Sequence, residues 1–372
     1  MPGISVMIPT YNRPDLLERC LQSLGAMEHP GLALEVIVVN DGGCPLDGQH
    51  LSAILPGVVI IEQANSGPSG ARNTGIAAAG HPLLAFTDDD YLVDPGWIQD
   101  LHAALVKHPT ALVGGKTFNL LRHNPFSEAS QLVVDAVCRW QNSDPENGRF
   151  IPCNNMACCR EQIVALGGFD TVFTLAAAED REICDRWRQA GWPIVQLDNR
   201  ALVGHSHWLD HRGYWRQQVN DGRGARTLHS LRRSRGVSGE QAGAGFLVLL
   251  LVMAVRRRQQ GRLQPLLLLL VLESQLATVV GNLRTPGCGP RMSAVTLMLS
   301  SRYEHDAVRG AAADGLIGTK KPEPGLVPVA PATGRQSSLS PLPPPLPAAH
   351  GPSRAGQVGV PGSSVPHHRR LC

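Results

Sequence analysis

The sequence predicts an α/β fold: a mostly parallel sheet flanked by helices. Two observations carry this. Short apolar runs at residues 4–8, 35–39, 58–62 and 83–86 alternate with stretches at helical spacing, the order that such a sheet requires. Three of those runs end in polar groups suited to ligands, at the carboxyl edge where parallel sheets bind them. One such ending is chance; three suggest a shared site.

Taken in order, ISVMI (4–8) is a buried strand and PTYNRP (9–14) the loop that ends it. Leu16, Leu17, Cys20, Leu21 and Leu24 then repeat at helical spacing. EVIVV (35–39) is the next strand, and it runs into Asn40-Asp41-Gly42-Gly43, a carboxylate followed by a glycine turn. After the third strand, a Gly/Pro/Ser loop over 65–73 enters an Ala-rich helix reaching Gly80. This loop has neither GxGxxG nor GxxxxGK[ST], so neither a dinucleotide fold nor a P-loop is supported. Gly67 and Gly70 read as a tight turn. Arg72, beside the first helical turn, is placed to meet a phosphate, which cation and helix N-terminus both favour.

The fourth strand, LLAF (83–86), reaches Thr87 and then Asp88-Asp89-Asp90. Adjacent carboxylates repel, and the usual remedy is a hard divalent cation that prefers oxygen and tolerates water and phosphate. Strand alternation points Asp88 and Asp90 to one side and Asp89 to the other. Asp88 and Asp90 are therefore expected to hold a metal, or a metal and a sugar hydroxyl, between them. A solvated acidic turn is the plainer alternative.

Further on, residues 112–116 read as a strand with a glycine bend, 152–157 as the lining of a pocket, and 166–170 as a turn. Residues 176–187 read as a helix with Ile183 and Trp187 on its apolar face and Glu179 and Asp180 at its start. Acidic residues there also serve capping alone. Short strands at 194–197 and 201–203 lead to His205-Ser206-His207. Alternate histidines on a strand share one face, which suits metal ligation, although ordinary hydrogen bonding is the commoner use.

The ordered set ISVMIPTYNR, VIVVNDGG, GPSGARNTGIAAA, AFTDDDYLVDPGWI, NNMACCR, LGGFD and AAEDREICDRW resembles the inverting family 2 glycosyltransferases of the GT-A fold over residues 3–220. The resemblance implies a nucleotide-diphosphate-sugar donor, a hydroxyl acceptor such as a glycan or glycolipid, and a Mg2+ or Mn2+ ion. By position, Pro9, Thr10, Tyr11 and Arg13 match the first nucleotide loop. Asp41 matches the carboxylate that contacts the base, and Arg72 the arginine near the nucleotide. Asp88 and Asp90 match the DxD motif for ribose and metal, with Asp89 grouped in the donor-binding set. Glu179-Asp180 match a pair whose aspartate is usually the general base. His205 or His207 matches a histidine that completes the metal or pyrophosphate site in some members. Two departures stand out: Asn40-Asp41 replaces a commoner aspartate pair, and no QxxRW motif follows, which argues against a processive synthase.

Three regions result: a catalytic domain over 1–220, a basic and apolar helical segment over 221–300, and a Pro/Gly/Ser-rich tail over 310–372 too poor in apolar residues to order itself. Arginines crowd 211–235. An uncharged run at 242–255 ends in Arg256-Arg257-Arg258, and 265–283 is apolar but for Glu273, Ser274 and Gln275. A span takes about 20 apolar residues; association of a helical hairpin with the inner leaflet is expected, with spanning the alternative. No secretory signal opens the chain, so the catalytic part is expected at the cytoplasmic face of the membrane. Nine scattered cysteines read as reduced thiols. A net charge of +3 gives no reason to expect a nucleic-acid partner. Two rivals remain. A nucleotidyltransferase needs a Gly/Lys-rich first loop that 9–14 lacks. A non-catalytic sugar-nucleotide binder or membrane scaffold has no reason to keep Asp41, Asp88, Asp90 and Asp180 clustered.

Overall fold

The computed structural model describes residues 3–29, 31–237, 244–256 and 264–283. The tail expected over 310–372 lies outside them. In chain order the elements are β1 (Ile4–Thr10), α1 (Pro14–Gly25), β2 (Leu34–Asn40), α2 (Gly48–Ile54), β3 (Val59–Glu62), α3 (Gly67–Ala78), β4 (Leu83–Phe86), β5 (Tyr91–Val93), α4 (Trp97–Lys107), β6 (Leu112–Gly114) and β7 (Thr117–Asn119). There follow α5 (Pro125–Gln141), β8 (Met156–Cys159), α6 (Arg160–Ala165), α7 (Glu179–Gln189), β9 (Ile194–Gln196), β10 (Val203–His205), α8 (His211–Ser234), α9 (Ala244–Arg256) and α10 (Gln264–Leu283).

Seven strands form the main sheet in the order β3-β2-β1-β4-β8-β6-β9. All ladders are parallel except the two made by β8, which runs antiparallel to β4 and β6. The period of two along β1 divides the core. Ile4, Val6 and Ile8 pack with Leu17, Leu21 and Trp97 on one face, while Met7 packs with Ile76, Phe169 and Trp187 on the other. The β1–β4 ladder ends at Met7–Phe86, two residues before Pro9, which has no N–H to donate. A second, three-stranded sheet, β5-β10-β7, is set beyond the end of β4.

The structure corrects three expectations. β1 continues through Pro9 and Thr10, so the loop begins only at Tyr11. The Gly/Pro/Ser "loop" is largely helix, since α3 starts at Gly67. Residues 152–157 do not simply line a pocket: Asn155 is fully buried, accepting from Trp97 Nε1 at 2.9 Å and donating to the Ala201 carbonyl at 2.8 Å. It joins α4, β8 and the approach to β10.

Helix α8 crosses the boundary expected at residue 220. It is held on α10 by Tyr214 Oη donating to the Leu270 carbonyl (2.8 Å) and by the His211–Glu273 pair (2.7 Å). A Cβ at Gly222 would collide with the Thr278 carbonyl, and one at Gly281 with that of Val219. Glycine is what lets these two backbones approach.

Candidate active site

The polar ends of β1, β2 and β4 meet the start of α7 and the end of β10. The backbone turns after Phe86, so Asp88, Asp89 and Asp90 follow a turn rather than strand alternation. Each therefore takes a different partner. Asp88 Oδ1 lies 2.7 Å from Arg72 Nη2. Asp89 is fully buried; Thr10 Oγ1 donates to its Oδ2 at 2.7 Å, and Arg13 Nη2 pairs with its Oδ1 at 2.6 Å. Asp90 Oδ2 is 2.9 Å from Arg13 Nη1 and 3.5 Å from His205 Nε2. The expected role of Asp89 in holding the donor is corrected, because its oxygens face Thr10 and Arg13 inside the protein. It ties the first loop to the acidic turn.

Arg72 is also placed otherwise than expected. Its buried guanidinium bridges two carboxylates, Asp88 and Glu179, the latter at 3.1 Å, and lies over the Phe169 ring. One cation thus joins the end of β4 to the first residue of α7. The preceding residue, Ala178, has φ +73°, a left-handed backbone uncommon for a residue with a Cβ. Such strain gathers at functional sites. Close packing enforces the local path: a Cβ at Gly67 would come 2.9 Å from the Thr174 carbonyl oxygen.

Glu179 is buried and Asp180 half-buried. Burial, reinforced by the adjacent Asp180 charge, pushes the Glu179 carboxyl up to about 7 against the pull of Arg72. Burial also raises Asp180, opposed by Arg181, whose N–H donates to Asp180 Oδ1 at 2.8 Å. Asp221 on α8 is a third carboxylate in this field, pushed up to about 6 by burial, with Arg181 opposing and Glu179 adding. Nothing in the sequence marked it, being one aspartate in an arginine-rich helix.

Asp90, His205 and His207 bring ligand atoms within 4.8 Å of one another. Asp88, expected among the ligands, is outside this group. Burial raises the Asp90 carboxyl, but His205 and Arg13 outweigh it and hold the group well below the usual carboxylate range. Burial lowers His207 to about 4, leaving the ring neutral with a lone pair to give. Tyr91, the cross-strand partner of His205, stacks on its ring at 4.2 Å, and Asn154 Nδ2 donates to the tyrosine hydroxyl at 2.7 Å. Such outer contacts fix a ligand's orientation. An anionic carboxylate and two imidazoles are a donor set that fits a divalent ion.

The end of the site formed by β1 and β2 is more open. Tyr11 is exposed at the end of β1. Asn12 Oδ1 accepts from the Cys44 N–H at 3.0 Å and is packed by Gly43, whose φ of +87° and lack of a Cβ are both needed. Asp41, expected at the base, already accepts through Oδ1 from Gln63 Nε2, the Ser66 N–H and Ser66 Oγ, at 2.7, 2.8 and 3.1 Å. One of its oxygens thereby secures the start of α3.

Residues 5–159 match the family model described as glycosyl transferase family 2. The pre-mycofactocin glycosyltransferase of Mycobacterium tuberculosis is 29% identical over 224 residues, covering 57% of this chain and 46% of that protein. The glycosyltransferase GlyA of Streptococcus pneumoniae is 29% identical over 119 residues, covering 31% and 17%. The chain thus spans less than half the length of these relatives. A mannosyltransferase from Pyrobaculum calidifontis, solved with GDP-Man and Mn2+, aligns over 82% of this chain and 81% of that one at 18% identity, with a TM-score of 0.49. The motifs in their order, the sheet whose edge they occupy and the matched stretch give one reading: over residues 5–159 the chain is similar to glycosyl transferase family 2.

Proposed function

We propose that the protein transfers a sugar, with inversion, from a nucleotide-diphosphate-sugar donor to an acceptor hydroxyl, and that Asp180 is the general base. The observation that carries this is the Arg72 bridge, which sets the acidic turn after β4 against the Glu179-Asp180 pair of α7. This supports the reading, because it brings a carboxylate of the acidic turn close to the start of the helix that carries the proposed base. Glu179 is buried on Arg72, and Cys153 Sγ lies 3.8 Å from its Oε1; it positions. Asp180 is the more accessible of the two, and burial raises its pKa, which makes its carboxylate a stronger proton acceptor.

In the step itself the acceptor oxygen forms a bond to the anomeric carbon from the face opposite the diphosphate. Its proton passes to the Asp180 carboxylate. The bond from the anomeric carbon to the diphosphate oxygen breaks, and the diphosphate leaves with the electron pair. Asp90, His205 and His207 would hold a divalent ion, which when bound supplies positive charge to the departing diphosphate. Two imidazoles among three donors favour Mn2+ over Mg2+, which prefers oxygen. Tyr11 and the free side of Asp41 lie where the nucleotide is expected.

The test is a thermal-shift panel of UDP-, GDP- and dTDP-sugars with Mn2+, followed by turnover. Asp180→Asn should retain the metal-dependent shift and lose transfer. Normal turnover by that variant would move the base to Glu179. A folded protein that shifts with none of the donors would instead favour a non-catalytic scaffold.

A further inference from the structure

Helices α9 and α10 each carry two apolar sides. On α9, Phe246, Leu250 and Ala254 are buried against Leu132 and Ala136 of α5. The opposite side presents Val248 (60% exposed), Val252 and Val255. On α10, Leu270, Val271 and Ala277 are buried against the domain, while Leu272, Leu276 (56% exposed) and Val279 point outward. A helix with an apolar inner stripe needs no further explanation; one that repeats the pattern on its outer side does. From Leu268 to Leu283 the one charged side chain is Glu273, and it is bound to His211. The outer faces are therefore uncharged among the described residues.

Their occupant can be argued from the neighbouring charge. Leu270 packs with Leu209 and Tyr214, so α10 adjoins the segment that leads from His207 into α8. That segment exposes Trp208 (63%), and the first two turns of α8 expose Arg212 and Arg216. An amphipathic aromatic ring and unburied arginines beside an apolar face are the anchors of a protein lying on an anionic bilayer. A second copy of the chain would bring arginines against arginines. No described helix is long and apolar enough to cross a membrane, which agrees with lying on it.

We infer that the outer faces of α9 and α10, with Trp208, Arg212 and Arg216, form a docking surface for an anionic lipid bilayer. Because Trp208 follows His207 directly, docking sets the metal-ligand segment of the site beside the headgroups. Vesicle binding needs no transferase chemistry, so this inference can fail while the proposed function stands, and the reverse.

The experiment is flotation of the full chain with phosphatidylcholine vesicles, with and without phosphatidylglycerol. Wild type should float with the anionic vesicles and much less with the neutral ones. Leu272→Glu/Leu276→Glu, at two outward positions, should lower partitioning about tenfold or more while keeping the wild-type circular dichroism spectrum. Arg212→Glu/Arg216→Glu should remove the preference for anionic lipid. The inference is overturned if folded wild type floats with neither vesicle, or if both double variants float as wild type does. It is overturned equally if the wild type sediments as a dimer that Leu272→Glu/Leu276→Glu converts to monomer and neither form binds vesicles.

Discussion

Arg72→Met is the sharpest probe of the site, because one buried guanidinium neutralises two carboxylates on different elements. The methionine keeps much of the apolar stem and removes the charge. Glu179 is then left buried without its cation, and Asp88 loses its 2.7 Å partner. Removing one member of a buried pair costs about 3–5 kcal/mol, since the other charge stays desolvated. In a domain of this size that is a fall of roughly 10 °C in Tm. The cost must also depend on pH. Glu179 already sits at about 7, so at pH 5 it is protonated in the folded wild type and much of its attraction to Arg72 is absent. The deficit of the variant should accordingly be largest near pH 8 and shrink toward pH 5. Urea unfolding followed by circular dichroism across that range measures it. Arg72→Met combined with Glu179→Gln should cost less than the sum of the single changes. A deficit below about 1 kcal/mol at pH 8, the value of an exposed pair, or one that does not vary with pH, would refute the bridge.

Other consequences can be measured directly. The proposed base, Asp180, must be deprotonated to work and its pKa is raised by burial, so kcat/KM should climb with pH above the ordinary carboxylate range; a limb centred near pH 4 would oppose the proposal. Folding takes the opposite sign at Glu179: its stabilising contribution is complete below its unfolded pKa and is lost as pH rises through about 7. Tyr91→Ala removes the ring stacked on His205 and should weaken Mn2+ binding about 10- to 100-fold, read by calorimetry, with Tyr91→Phe restoring most of it. EDTA should lower donor affinity yet leave the protein cooperatively folded, because Arg13 and Arg72 hold the acidic turn without an ion. Unfolding by chelator would contradict this.

What the sequence disclosed was whatever is local. Short apolar runs marked β1 to β4, β6 and β9 but not β8, and the polar residues at the ends of three of them marked the edge where the site forms. The partners of those residues were not legible, because they are chosen across the fold. Arg72 is 16 positions from Asp88 and 107 from Glu179; no spacing rule links such groups. Alternation misled at Asp88 to Asp90 because the strand stops at Phe86 and the turn re-aims each side chain. The cap-driven helix α2, begun by Asp47 accepting from the Gln49 and His50 N–H groups, was missed because its 7 residues are too few for Leu51 and Ile54 to establish a helical period. Glu273 looked like a flaw in an apolar helix, and its cause is His211, 62 positions away.

The repulsion within Asp88-Asp89-Asp90 first suggested that a metal must hold the turn together. Arginine does this instead. Arg13 spans Asp89 and Asp90, and Arg72 takes Asp88. The remaining metal donors, His205 and His207, arrive on a separate small sheet through β10 and the segment after it. A divalent ion would then join two preformed parts at Asp90 rather than create either one. Such a division separates stability from ligand binding: arginines carry the cost of clustering the carboxylates, which would leave a divalent ion free to come and go with the diphosphate of the proposed donor.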